Sequence, residues 1–147
     1  MSAKSHRSTK SAMSQRSVRA ASAKPIAPMN CLVTGAGGYV ALHIVDLLLK
    51  QGHMVRGTVR NLANEERNEP IKKLASNPEK IELVEADILK AEQWADAVKD
   101  IDVVFHVASP FPFPGDDQDP VKPAIEGTLN VLKVSKQNNL FKINPEV

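Results

Sequence analysis

Residues 30–49 read NCLVTGAGGYVALHIVDLLL, and this stretch decides the fold. A short apolar run is followed by a cluster of small residues and then by a segment whose apolar residues recur at helical spacing. This order predicts a strand over residues 30–34, a tight turn, and a helix from about residue 39 to residue 51. Gly52 is placed to end the helix, because glycine readily takes the positive φ that many helix C-termini require.

The turn within this stretch has the spacing GxxGxxA, formed by Gly35, Gly38 and Ala41. The spacing is a looser relative of the dinucleotide fingerprint, which requires a strand before the glycines and a helix after them. Gly35 allows a tight exit from the strand, while Gly37 and Gly38 allow a pyrophosphate to approach bare backbone. The helix start also offers amide groups and a positive dipole to an anion. A structural turn without a ligand is the alternative, and the flanking strand and helix favour nucleotide binding.

Length and composition are those of one globular domain. The chain has 147 residues, 42% hydrophobic and 24% charged, which suffices for one core and no more. No apolar run approaches the roughly 20 residues that span a bilayer, so no membrane segment is expected. Cys31 is the only cysteine, which excludes an intrachain disulfide and fits a buried strand position in a reducing, cytoplasmic setting.

The positive net charge comes from the amino-terminal tail alone. Residues 1–28 carry six Lys or Arg and no acid, whereas the remainder carries 13 basic and 17 acidic side chains and a formal charge of −4. The globular part therefore lacks the basic face of a nucleic-acid-binding domain. The tail has almost nothing to bury, so it is predicted to be disordered. Organelle targeting and weak polyanion binding are the two alternatives for it.

Three further strands are predicted after the glycine turn. They cover residues 54–60, 80–85 and 102–108, and helical or irregular segments separate them. Successive right-handed βαβ units give the sheet order 3-2-1-4. The predicted fold is therefore an incomplete, Rossmann-type doubly wound α/β domain over residues 29–147.

Strand two ends in Arg60, with no acid at the position where an NAD site places a carboxylate on the ribose 2′-hydroxyl. An arginine there accommodates a 2′-phosphate, so NADP is expected over NAD. A solvated arginine is the alternative, and Glu65 and Glu66 just downstream could weaken the preference.

Other candidate positions follow strands three and four. Asp87 could accept a hydrogen bond from an adenine amino group or cap the next turn. Ser109 ends strand four at the ligand edge, and the proline-rich loop 110–119 is suited to line a substrate cleft. Trp94 is expected in the core, in a helix over residues 92–99. Asp119 can cap a last helix that has Pro120 at its first position.

Five blocks in this order resemble the amino-terminal part of extended short-chain dehydrogenases/reductases, above all the dihydroflavonol reductase and cinnamoyl-CoA reductase group. The blocks are VTGAGGYVA at 33–41, GTVR at 57–60, EADI at 85–88, VFHVASPF at 104–111 and PAIEGTLNVLK at 123–133. The resemblance implies a cofactor site with Gly35, Gly38 and Tyr39 at the pyrophosphate, Arg60 at the 2′-phosphate, Asp87 and Ile88 beside adenine, and Val107, Ala108 and Ser109 on the nicotinamide side. Gly37 and Val40, in the same turn, complete the predicted cofactor-binding residues.

That family reduces or oxidises carbonyl and hydroxyl groups with NADP(H), using a Ser and a Tyr-x-x-x-Lys pair. The only tyrosine here is Tyr39, inside the glycine turn, and His43 stands four residues after it. We therefore expect this chain to be the amino-terminal part of such an enzyme and to be inactive alone. It would act on a small carbonyl or alcohol substrate only when the missing half of the enzyme is supplied. A non-catalytic dinucleotide-binding or partner-binding module and a non-functional truncation are the alternatives. No metal site is expected, and the open edge of strand four is expected to favour self-association.

Overall fold

The computed structural model describes residues 27–110 and 121–140 of the chain. The strands are β1 (Asn30–Val33), β2 (Met54–Val59), β3 (Ile81–Glu85) and β4 (Val103–Phe105). The α-helices are α1 (Tyr39–Lys50), α2 (Glu65–Lys72), α3 (Trp94–Ala97) and α4 (Val121–Gln137), with short 3-10 turns at Pro78–Lys80 and Ala91–Gln93.

The four strands form one parallel sheet in the order β3-β2-β1-β4, which confirms the predicted topology. Cys31 lies opposite Val55 of β2 and Val103 of β4, so β1 is central. Because all strands run the same way, their carboxyl ends meet at one edge of the sheet. Ligands of open α/β sheets bind at this edge.

Apolar side chains bury both faces of the sheet. Cys31 and Val33 of β1 face a cluster that includes α1, whereas Leu32 between them faces the cluster that contains Trp94 and Val131 of α4. This alternation follows from the two-residue period of a strand, and it explains why β1 is a continuous apolar run. Trp94 is fully buried, as predicted, and its indole Nε1–H donates to the carbonyl oxygen of Asp87 at 2.9 Å.

Two predicted elements are shorter in the structure by more than one residue. The helix expected over residues 92–99 is a 3-10 turn followed by the single turn of α3, and β4 covers three residues rather than the expected 102–108. β4 stops because the amides of Val107 and Ala108 donate to the side chain of Thr34 instead of continuing the backbone ladder. α1 ends at Lys50, with Gly52 two residues beyond it at φ +89°.

Several predictions fall outside the described residues. These are the disorder of the basic tail up to residue 26, the cleft-lining role of the proline-rich loop from residue 111, and the capping of the last helix by Asp119 and Pro120. Within the described part of the chain, no helix is both long and apolar enough to cross a membrane.

Candidate cofactor site

The glycine turn between β1 and α1 is closely packed against the end of β4. Gly35 has φ +64°, a left-handed conformation that side-chain-bearing residues rarely adopt. A Cβ atom added to Gly35 would lie 3.0 Å from the Cβ of Ala108. The turn closes where the Gly38 N–H donates to the Gly35 carbonyl oxygen at 2.9 Å. Glycine at position 35 is therefore required both by the backbone conformation and by the neighbouring chain.

The opposite side of the turn is open. A Cβ on Gly37 would meet only the Cδ1 of Ile71, at 3.7 Å. α1 begins without a side-chain cap and without an acidic residue in its first turn. Over residues 27–110 and 121–140, the amides of Tyr39 and Val40 have no hydrogen-bond acceptor. The helix start thus offers N–H groups and a positive dipole to an anion at this turn.

Two buried threonines that belong to none of the predicted site residues hold the glycine turn in place. The Gly35 N–H donates to Thr58 Oγ1 at 3.0 Å, and the Ala36 N–H donates to the Thr58 carbonyl oxygen at 2.9 Å. Thr34 is the second, and its Oγ1 accepts from the amides of Val107 and Ala108, both at 2.9 Å. No local sequence pattern marks either threonine, because each role depends on a neighbouring strand.

The predicted nicotinamide-side residues lie where β4 leaves the sheet. Thr34 holds Val107 and Ala108 beside the glycine turn, and Ser109 follows as an exposed residue. β1 and β4 are neighbours in the sheet although β2 and β3 come between them in the chain. The contact between Gly35 and Ala108 therefore lies at the point where the strand order reverses, and ligands of open α/β sheets bind at such points.

Arg60 is exposed directly after β2 and has no ion-pair partner among the residues that the structure describes. The loop that follows it is held on two sides. The Leu62 N–H donates to Glu85 Oε2 at 3.1 Å, and the buried Asn68 donates from Nδ2 to the carbonyl oxygens of Asn61 and Leu62, both at 3.0 Å. The Arg60 backbone is thus attached to an ordered loop, while its guanidinium is available to an anion.

Asp87 and Ile88 follow β3, and Ile88 lies against α4. Asp87 Oδ1 accepts from the Leu89 N–H at 2.9 Å, so the turn-capping role considered for Asp87 is present. The Ile88 side chain fills a notch at Gly127, where an added Cβ would lie 2.8 Å from Ile88 Cδ1. Asn130 donates from Nδ2 to the Ile88 carbonyl oxygen at 2.9 Å. These contacts position the loop at the carboxyl edge of the sheet.

The predicted site residues thus follow all four strands at one edge, with the glycine turn beside the crevice. This arrangement defines a dinucleotide-binding domain of the Rossmann type. The sequence pattern of the NAD dependent epimerase/dehydratase family matches residues 31–144, and the chain belongs to that family.

Individual relatives agree with this assignment and with the predicted resemblance. Cinnamoyl-CoA reductase 1 of Petunia hybrida is 38% identical over 111 residues, which cover 76% of this chain and 32% of that protein. Dihydroflavonol 4-reductase of Hordeum vulgare is 36% identical over 115 residues, with coverage of 76% and 32%. Yeast methylglyoxal/isovaleraldehyde reductase Gre2, in its NADPH complex, is 35% identical with a TM-score of 0.62, covering 74% of this chain and 33% of that one. The chain spans about a third of the length of the curated relatives it matches.

Proposed function

We propose that this domain binds NADP(H) as the cofactor part of an oxidoreductase that acts on CH–OH or carbonyl groups. The glycine turn carries the proposal: Gly35 packs on Ala108 at the crevice, while the amides that begin α1 have no acceptor among the described residues. The names of the similar proteins, which are reductases of carbonyl compounds or acyl-CoA esters, support the reaction class. When bound, the nicotinamide would supply or accept the hydride.

Different residues of the chain would contact different parts of the cofactor. Gly37, Tyr39 and Val40 would hold the pyrophosphate through backbone N–H groups, and Val107 to Ser109 would form the wall beside the nicotinamide. Arg60 would pair with the 2′-phosphate, which favours NADP over NAD because no carboxylate occupies that strand end. Asp87 retains its second carboxylate oxygen for an adenine amino group, since only Oδ1 is used in the turn.

We further propose that the 147-residue chain binds cofactor without reducing substrate by itself. Carbonyl reduction requires an acid within hydrogen-bond reach of the substrate oxygen. The only tyrosine, Tyr39, is 80% exposed at the start of α1, where its ring meets the His43 ring edge-on at a centroid distance of 4.9 Å. That position is the pyrophosphate turn rather than the crevice wall. Steady-state NADPH oxidation with small aldehydes and ketones tests this, and turnover by this chain alone would contradict it.

Calorimetric titration with NADPH and NADH tests the cofactor assignment. We expect NADPH to bind about ten- to a hundredfold more tightly than NADH, and Arg60→Ala to remove the difference. Lys50→Ala is the matched control, because Lys50 is an exposed cation at the opposite end of α1, paired with Asp46 at 2.7 Å. Equal affinities of the wild type for the two cofactors, or no binding of either, would reject the proposal.

Self-association is a second proposal, supported by the edge of the sheet. Among the described strands β4 pairs with β1 alone, which leaves its other side open. Ile125, Leu129 and Leu132 of α4 are each at least 40% exposed. An open edge and exposed apolar side chains both favour association. Light scattering coupled to gel filtration over a range of concentrations tests this, and a constant monomer mass would exclude it.

A further inference from the structure

His106 connects the end of β1 to α4 through two threonine hydroxyls. Its Nδ1 lies 3.0 Å from Thr34 Oγ1, and its Nε2 lies 3.3 Å from Thr128 Oγ1. The same Thr34 oxygen accepts from the amides of Val107 and Ala108. One imidazole thus links the helix after β4 to the hydroxyl that holds the crevice wall.

The directions of these hydrogen bonds follow from the number of donors and acceptors. A hydroxyl has two acceptor lone pairs and one proton, and amide N–H groups can only donate. The two amides occupy both lone pairs of Thr34, so its proton must go to His106 Nδ1. Nδ1 is therefore unprotonated, and the proton of the neutral ring lies on Nε2, which donates to Thr128.

We propose that His106 is a positioning residue of the cofactor crevice: as the neutral Nε2–H tautomer it fixes the Thr34 hydroxyl so that Thr34 holds the amides of Val107 and Ala108 against Gly35. The proposal rests on the cofactor function proposed above and adds that the protonation state of His106 affects the affinity for the cofactor. A proton on Nδ1 would face a hydroxyl with no lone pair left. Either an amide of the wall or the imidazole would then have to move.

The surroundings of His106 favour the neutral ring. Burial lowers the pKa of His106 from its usual value of 6.5, and no charged side chain contributes to the shift. The groups that face the ring from β1 and from α4 are the uncharged hydroxyls of Thr34 and Thr128. Among the described residues, nothing near the ring compensates an imidazolium charge, so acid conditions should release the wall.

The first measurement is the tautomer itself. Nitrogen-15 NMR of the full chain, with the four imidazoles assigned, reports which ring nitrogen carries the proton. We expect an unprotonated Nδ1 and a protonated Nε2 in His106 at neutral pH, with or without cofactor. A proton on Nδ1, in either a neutral or a charged ring, would overturn the proposal. This measurement needs no substitution of His106, Thr34 or Thr128, and it does not depend on cofactor binding.

The second measurement is the affinity for NADP⁺ between about pH 8 and pH 5, compared between wild type and His106→Asn. An Asn amide can accept from Thr34 but does not titrate, so the wild type should lose about three- to tenfold more affinity at acid pH. Titration of the cofactor's own 2′-phosphate is common to both proteins and cancels in the ratio. His6→Asn, which removes an imidazole from the amino-terminal tail, should keep the wild-type profile.

Thr128→Val provides an independent variant, because it removes the Nε2 acceptor without touching the wall. It should weaken NADP⁺ binding about three- to tenfold at neutral pH. Identical pH profiles for wild type and His106→Asn, together with an unaffected Thr128→Val, would overturn the positioning role. Absence of NADP⁺ binding by the wild type at every pH would instead reject the cofactor function. The NMR measurement of the tautomer would then be the test of the hydrogen bonds between His106 and the two threonines.

Discussion

Gly35 and Ala108 are in contact where the chain leaves β1 and β4, although 73 positions separate them in the sequence. A Cβ on Gly35 would lie 3.0 Å from the Ala108 Cβ and 3.2 Å from its Cα. The contact joins the turn that we assign to the pyrophosphate to the wall that we assign to the nicotinamide. Any change that separates the two should therefore reduce both stability and cofactor affinity.

Gly35→Ala should be the most damaging single substitution in the turn. The left-handed conformation at φ +64° is unfavourable for alanine, and the new methyl group would press on Ala108. We expect a loss of roughly 1–3 kcal/mol in the free energy of unfolding, measured by urea denaturation. A variant as stable as the wild type would show that the turn is not packed as described.

Gly37→Ala should separate binding from stability. The space around Gly37 is open, with Ile71 at an ordinary contact distance of 3.7 Å, so the free energy of unfolding should change by less than about 0.5 kcal/mol. The methyl group would nevertheless stand where a pyrophosphate must approach bare backbone. We expect the NADPH affinity to fall about tenfold or more in calorimetry. Unchanged affinity would place the phosphates elsewhere.

Thr58→Val should destabilise the glycine turn, although the valine side chain has nearly the same size as that of threonine. The valine lacks the hydroxyl that accepts the Gly35 N–H at 3.0 Å, and Thr58 is buried, so the amide loses its partner. The expected cost is roughly 1–3 kcal/mol in urea denaturation. Thr58→Ser keeps the acceptor and should recover most of this loss. A valine variant as stable as the wild type would show that the Thr58 hydroxyl does not support the turn.

The lowered pKa of His106 predicts that stability falls in acid. Below the ordinary value of 6.5 the unfolded chain takes up a proton that the folded chain does not, until the pH passes the folded pKa. The contribution is therefore complete above about pH 6.5 and is lost as the pH falls. Thermal or urea unfolding of wild type and His106→Asn should diverge below that pH. Parallel stability curves would contradict the assigned burial of the imidazole.

The local pattern in residues 30–49 was enough to predict β1, the glycine turn and α1, because strand and helix periods are properties of short segments. The end of β4 was not predictable in this way. The sequence pattern continues the strand to residue 108, but the chain leaves it after Phe105 because Thr34, distant in sequence, accepts the amides of Val107 and Ala108.

The supporting residues of the site were also beyond local patterns. Thr34 and Thr58 are ordinary strand residues by propensity, and their roles depend on which neighbour lies across the sheet. The notch at Gly127 is filled by Ile88, from a loop that only the tertiary fold brings to α4. The turn glycines, in contrast, had a spacing with a direct physical meaning, and the structure places them as expected.

The most direct test of the account is to titrate NADPH into the nitrogen-15-labelled chain and to follow its backbone amides. We predict that the largest shifts fall on the amides of Gly37, Tyr39 and Val40, with a second group at Val107 to Ser109. Saturable shifts confined to other residues, with the amides of the glycine turn unaffected, would contradict the claim that this turn holds the cofactor's phosphates.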